Sequence, residues 1–153
     1  MFDPAAGDTA GAATASTAVW FDAFVMNVDR TARNANLLRW HQRLYFIDQG
    51  ASLYWHHNWK TAPSLVESRF PAIRQHLLLP WATQLDIADA AAHARLSAES
   101  FAPILDQVPD AWLLPGGSPS TDAHEQRERY IHFLTARLSA SAKFIEEAIY
   151  ART

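Results

Sequence analysis

The sequence predicts one α-rich α+β domain, a bundle of about six helices carrying a single small β-hairpin. Three observations lead there. From Phe70 to the C-terminus, apolar residues recur at helical spacing almost without interruption. Earlier, Leu37-Leu38-Arg39-Trp40 and Arg43-Leu44-Tyr45-Phe46-Ile47 are two short apolar and aromatic runs separated only by His41-Gln42, the pattern of a hairpin with a two-residue connection. Finally, 153 residues with 49% hydrophobic content and six tryptophans suit one ordered domain and argue against disorder.

Taken in order, residues 1–16 are Ala, Gly, Thr and Ser with a few acids and read as a flexible lead-in; the domain proper is expected over 17–153. Ser16 or Thr17 is the expected cap of a helix with Val19, Trp20, Ala23, Phe24 and Val28 on its apolar side. The hairpin follows, although His-Gln lacks the glycine that such turns favour. Ala51 to Trp59 is aromatic-rich and contains His56-His57. Adjacent side chains diverge on a helix or strand, so aromatic packing and hydrogen bonding are expected of them rather than a shared metal ion. Lys60 to Ser68 reads as a loop.

Pro71 fits a first helical position, and Pro80 is expected to end that helix after Leu77-Leu78-Leu79. Gln84 to Leu96 is an Ala-rich helix with an acidic side. Ser97 caps the next, with Phe101, Ile104, Leu105 and Val108 at helical spacing and Pro103 expected to kink or shorten it. Pro115-Gly116-Gly117-Ser118-Pro119 is a loop; no strand precedes its glycines and no Gly-Lys-Ser/Thr follows, so it is not a phosphate loop. Asp122-x-x-Glu125 resembles a capping box and opens a helix with Ile131, Leu134 and Leu138 on one stripe. A last helix, about Ser141 to Ala151, carries Phe144, Ile145, Ala148 and Ile149, a core stripe. His76, His93, His124 and His132 share no spacing and read as structural or surface residues.

A net charge of −3 gives no electrostatic footprint for nucleic acid or an anionic membrane. Without cysteine, disulfides and thiolate metal sites are excluded. Met1-Phe2-Asp3-Pro4 does not begin a secretory signal, and the longest uncharged run, Thr9 to Phe21, is too short to span a bilayer. A cytoplasmic protein with no membrane span is the resulting expectation.

The candidate chemistry lies between Asp29 and Gly50. An Asp followed five residues later by Asn, then by an Asp in a three-residue motif ending in Gly, is the order in which protein kinases place a catalytic base and two metal ligands. Asp29, Asn34 and Asp48 reproduce that order. Phosphoryl transfer is largely positioning and charge neutralisation. Asp29 would therefore orient an acceptor hydroxyl and take its proton, with Asn34 and Asp48 holding Mg²⁺ against the phosphates. The hairpin would return Asn34 and Asp48 to the same end. Arg30, Arg33, Arg39 and Arg43 cluster here, either facing phosphates, with Arg30 beside Asn34 and Asp48 on the nucleotide, or forming a solvated basic face.

Together, Asn27-x-Asp29-Arg30-Thr31-x-x-Asn34-x-Asn36-Leu37-Leu38, Trp40-His41-x-Arg43 and Ile47-Asp48-x-Gly50-Ala51-x-Leu53-Tyr54 resemble the HipA-like kinases of bacteria, relatives of the protein and phosphatidylinositol kinases. The resemblance runs from about Val19 to the C-terminus and includes Arg69-Phe70-Pro71-Ala72-Ile73 and Val108-Pro109-Asp110-x-Trp112-Leu113. It departs at Gln49, where the family commonly has His. It implies the helical C-terminal lobe of a kinase-like fold, a hairpin carrying the metal site, and ATP- and Mg²⁺-dependent phosphotransfer to a Ser/Thr or other hydroxyl. No Gly-rich loop, strand Lys or helix Glu precedes Asp29, so the nucleotide-covering lobe is expected to be missing or supplied separately. Two alternatives stand beside the enzyme: a non-catalytic kinase-derived binding or regulatory module, and Asp29 and Asp48 as structural carboxylates.

Overall fold

A computed structural model of the chain describes residues 2–114 and 122–153; the Pro115 to Pro119 loop lies outside them. The architecture is α+β and mostly helical, with one two-stranded antiparallel sheet. Helix α1 (Ala12–Phe24) runs through the middle. Around it stand the one-turn α2 (Ala62–Leu65), α3 (Leu85–His93), α4 (Ala98–Leu105), the one-turn α5 (Asp110–Leu113), α6 (Ala123–Ser139) and α7 (Ser141–Arg152). Strands β1 (Leu37–Trp40) and β2 (Arg43–Phe46) form the hairpin.

Helix α1 is central because it is apolar on more than one side. Val19, Trp20, Ala23 and Phe24 are buried as the spacing predicts, whereas Val28, past the helix end, is exposed. Trp20 stacks on Phe24 and meets Phe144 of α7 edge-on; its indole N–H donates to Asp89 of α3 at 2.8 Å. That bond satisfies the one polar atom such a ring brings into a core. Helices α3, α6 and α7 thereby pack on α1.

The beginning of the chain differs from expectation. Helix α1 starts at Ala12 behind Gly11, and neither Ser16 nor Thr17 caps it. Ser16 is buried inside the helix, where its hydroxyl accepts the Gln84 N–H. Residues 2–10 fold onto the domain rather than leading into it. Phe2 is buried edge-on to Trp81, its N–H donates to the Leu37 carbonyl, and Asp8 pairs with Arg39 at 3.0 Å. A single large aromatic in a small-residue stretch supplies enough apolar area to hold it down.

The helix expected from Pro71 to Leu79 is also different. Two 3₁₀ turns, Pro71–Gln75 and Leu79–Trp81, flank an extended His76. The break has a tertiary cause: Leu77 N–H donates to the Arg30 carbonyl, and Thr31 bridges to His76. Farther on, sequence and structure agree closely. Ser97 and Ser100 form a capping box on α4, which ends two residues after Pro103. Asp122 caps α6 through the His124 N–H.

The hairpin has the predicted register, Leu37 opposite Phe46 and Trp40 opposite Arg43. His41 and Gln42 both have positive φ, 46° and 63°, which gives the turn a twist matching the strands at the cost of a strained backbone. Only Leu37 is buried, while Leu38, Trp40, Tyr45 and Phe46 all reach solvent. No helix of the described residues is long and apolar enough to cross a membrane.

Candidate functional site

The segment after α1 is built around a buried carboxylate. Asp22 is 1% exposed and accepts from Arg30 Nε at 2.6 Å, His76 Nε2 at 2.9 Å and Asn27 Nδ2 at 3.1 Å. His76 Nδ1 accepts the Leu78 N–H, so its Nε2 is the nitrogen that donates to Asp22. Burial alone would push the Asp22 carboxyl up. The hydrogen bonds and charges of His76 and Arg30 outweigh it and hold the group below its ordinary value of 3.8. The carboxylate is charged at neutral pH and fully occupied.

Asn27 carries this anchor to the predicted base. Its Nδ2 also donates to Gln49 Oε1 at 3.0 Å, and its Oδ1 accepts the Asp29 N–H at 3.1 Å. Asp29 is half-buried, and its Oδ2 accepts from Asn34 Nδ2 at 2.8 Å and from Asn36 Nδ2 at 3.3 Å. Both amides fall on one oxygen and leave Oδ1 available to another donor. The Asp29 backbone and side chain are therefore held by three asparagines.

Asn34 and Asp48 are both exposed. They flank the hairpin at its open end, where Ile47 N–H donates to the Asn36 carbonyl beyond the Leu37–Phe46 pair. With its Nδ2 turned to Asp29, Asn34 keeps its amide oxygen as an acceptor. Asp48 accepts the Gly50 N–H on Oδ1 at 3.2 Å. These are oxygen donors, the kind that Mg²⁺ takes when one or two side chains and several phosphate or water oxygens complete its shell. Among the described residues no group of three or more His, Asp or Glu is placed to hold a metal ion; a site shared between two side chains and phosphates does not require one.

The backbone here is unusual. Met26, Asn36, His41, Gln42, Asp48 and Leu53 all have positive φ without being glycine. Such residues cost about 1–3 kcal/mol each and cluster where surrounding structure fixes a functional geometry. Two of the six, His41 and Gln42, form the hairpin turn, and Asn36 and Asp48 stand at its open end.

Arg30, expected on the nucleotide, is turned inward instead. Its residue is 1% exposed, its Nε lies on Asp22, and its Nη1 donates to the Asn36 and Ile47 carbonyls. The expected arginine cluster does not converge either. Arg39 is drawn away to Asp8 and the Thr9 carbonyl, while Arg33 and Arg43 lie exposed. Arg30 ties the start of the Asp29 loop to α1 and to the two strand termini at the open end of the hairpin.

The sequence reading did not single out Asp22, and it named Asn36 and His76 without the roles that the structure gives them. For Asp22 a signal existed, because a carboxylate three residues after Val19 shares its buried helical face and must have a cationic partner. His76 was readable only as a structural residue; its partner is 54 positions away. His56 and His57 also depart from the divergence expected of neighbours. In the 3₁₀ turn Tyr54–His57 their rings pack edge-to-face and the two Nε2 atoms lie 3.0 Å apart, sharing a hydrogen bond. Burial, followed by the neighbouring His57 charge, pulls the His56 pKa down.

Searches against family models, curated proteins and solved structures return no match for this chain.

Proposed function

We propose that this chain is the C-terminal lobe of a HipA-like, ATP- and Mg²⁺-dependent phosphotransferase acting on a Ser/Thr or other hydroxyl. One observation carries the reading: Asp29 is fixed by Asn27, Asn34 and Asn36 with one carboxylate oxygen left over, at the hairpin end that also presents Asp48. In this reading Asp29 Oδ1 would receive the proton of the acceptor hydroxyl as that oxygen bonds the γ-phosphorus of ATP, while the bond from this phosphorus to the β–γ bridging oxygen breaks and ADP leaves. Asn34 and Asp48 would hold the metal, which when bound would supply neutralisation of charge on the phosphates. Gln49 stands in for the family's His and serves as the acceptor that fixes Asn27.

The test is binding of a fluorescent ATP analogue with and without Mg²⁺. Mg²⁺-dependent binding is expected, with Asp48→Asn weakening it at least tenfold and Asp29→Asn leaving it within about twofold while abolishing transfer. Equal binding by the parent and Asp48→Asn would overturn the site.

A second reading has its own support. Leu37 and, in part, Leu44 hold one face of the hairpin to the core, whereas Leu38, Trp40 and Tyr45 on the other face are exposed, and isolated two-stranded hairpins are marginal in water. Leu38, Trp40, Tyr45, Phe46 and Ile47 form the kind of exposed apolar concentration that another polypeptide covers. The chain would then be a kinase-derived binding module, or one lobe that works when a separate nucleotide-covering lobe sits on the hairpin. Mg²⁺-dependent phosphotransfer by the isolated chain would exclude the non-catalytic form.

A further inference from the structure

His56 and His57 are neighbours in sequence, and on a regular helix or strand their rings would diverge. The 3₁₀ turn Tyr54–His57 prevents that. With three residues per turn, Trp55 points inward and the next two residues take the remaining sides, which face solvent. Both histidines are exposed, whereas Trp55 is 1% exposed and packs on Phe133 and Tyr130 of α6 and on Trp59. The turn is tied at each end. Before it, Leu53 N–H donates to the Val25 carbonyl at 2.8 Å; after it, Asn58 N–H donates to the Trp55 carbonyl at 2.7 Å.

On this fixed base the two rings stand edge-to-face with centroids 4.0 Å apart, and the two Nε2 atoms approach to 3.0 Å. A hydrogen bond accounts for the contact as it stands. At an exposed position water offers each nitrogen the same bond, so this one adds little to stability. The convergence of two imidazole nitrogens on one point is the geometry of a chelate. Nitrogens about 2.0–2.1 Å from a shared ion stand about 2.9 Å apart at a right angle and about 3.4 Å apart at the tetrahedral angle. The observed 3.0 Å matches the right-angled pair.

That angle belongs to tetragonal ions with nitrogen and oxygen ligands, Cu²⁺ and Ni²⁺, of which Cu²⁺ binds more tightly. We propose that His56 and His57 together chelate one such divalent ion through their Nε2 atoms, with water completing the shell. Binding releases no proton, because the ring that donates in the hydrogen bond can carry its hydrogen on Nδ1 instead. Among the described residues no group of three or more His, Asp or Glu is placed to hold a metal, so the site is a two-ligand one with open positions. It uses none of Asp29, Asn34 and Asp48, and it stands whether or not the phosphotransfer reading does. Those oxygen donors suit Mg²⁺, whereas an imidazole pair does not.

The experiment is titration of the full chain, carrying no affinity tag, with Cu²⁺ at neutral pH, followed by calorimetry and by electron paramagnetic resonance. One tight site per chain is expected, with hyperfine splitting from two imidazole nitrogens. His56→Ala and His57→Ala should each weaken it at least tenfold, since each turns a chelate into a single ligand. Asp48→Asn and a large excess of Mg²⁺ should leave it unchanged. Affinity undiminished in both histidine variants, splitting from fewer than two imidazoles, or displacement by Mg²⁺ would each overturn the proposal. The resonance spectrum of the unmodified chain keeps the test decisive if a variant folds poorly.

Discussion

Asp22 shows what a single buried carboxylate does here. Its two oxygens tie α1 to the Asp29 loop through Asn27 and Arg30 and to the extended break at His76. Removing one partner of such a pair strands the other, so Asp22→Ala should destabilise the chain by about 3–5 kcal/mol in urea unfolding. The pH dependence follows from the depressed pKa. Its contribution is fully present above the ordinary 3.8 and is lost as pH falls through the lower folded-state value. Asp22→Asn should therefore flatten the acid limb of a stability-against-pH curve below 3.8; an unchanged acid limb would mean that other carboxylates govern it. Residue-level chemistry was half legible. Asp29, Asn34 and Asp48 stand out in the sequence because their spacing is local, and the structure brings Asn34 onto Asp29, whereas the network around Asp29 uses partners up to 54 positions apart. No periodicity reports such a partner.

Among the elements, the hairpin was the most legible, since two apolar runs and a two-residue gap specify both register and turn length. What the gap did not disclose is the strain in His41 and Gln42. Glycine takes positive φ without steric cost, so Gln42→Gly should stabilise the fold by about 1 kcal/mol, or roughly 3 °C in melting temperature. A lower melting temperature would show that the Gln42 side chain matters more than its backbone. The long helices α6 and α7 were readable for the ordinary reason, a sustained stripe with caps or a break between them. The Pro71 to Trp81 stretch was not, because Leu-rich sequence between two prolines suits a helix as well as the two 3₁₀ turns that form. Burial of His76 on Asp22 and the Leu77 N–H on the Arg30 carbonyl decided between them.

For the molecule as a whole, Arg137 is the principal long-range tie. From α6 it gathers the last carbonyls of α1 and those of Leu65, Val66 and Ser68, against the ring of Phe144. A cation at a helix C-terminus meets orphan carbonyls and the negative end of the dipole together. Burial pulls the Arg137 pKa down to about 10, which leaves it charged at neutral pH. Arg137→Leu should cost about 3–5 kcal/mol, and hydrogen exchange should quicken first in residues 62–68. Uniform protection across the variant would contradict the tie. The same arginine has a consequence for synthesis. The carbonyls of Ala23 and Phe24 wait for a donor 114 and 113 positions downstream, and the Trp20 edge waits for Phe144. While the chain is still on the ribosome, α1 emerges early with an apolar surface and no lid. A nascent-chain stall placed before α6 should thus yield a protease-sensitive, chaperone-bound product, and the fold should snap shut only as α6 and α7 leave the exit tunnel.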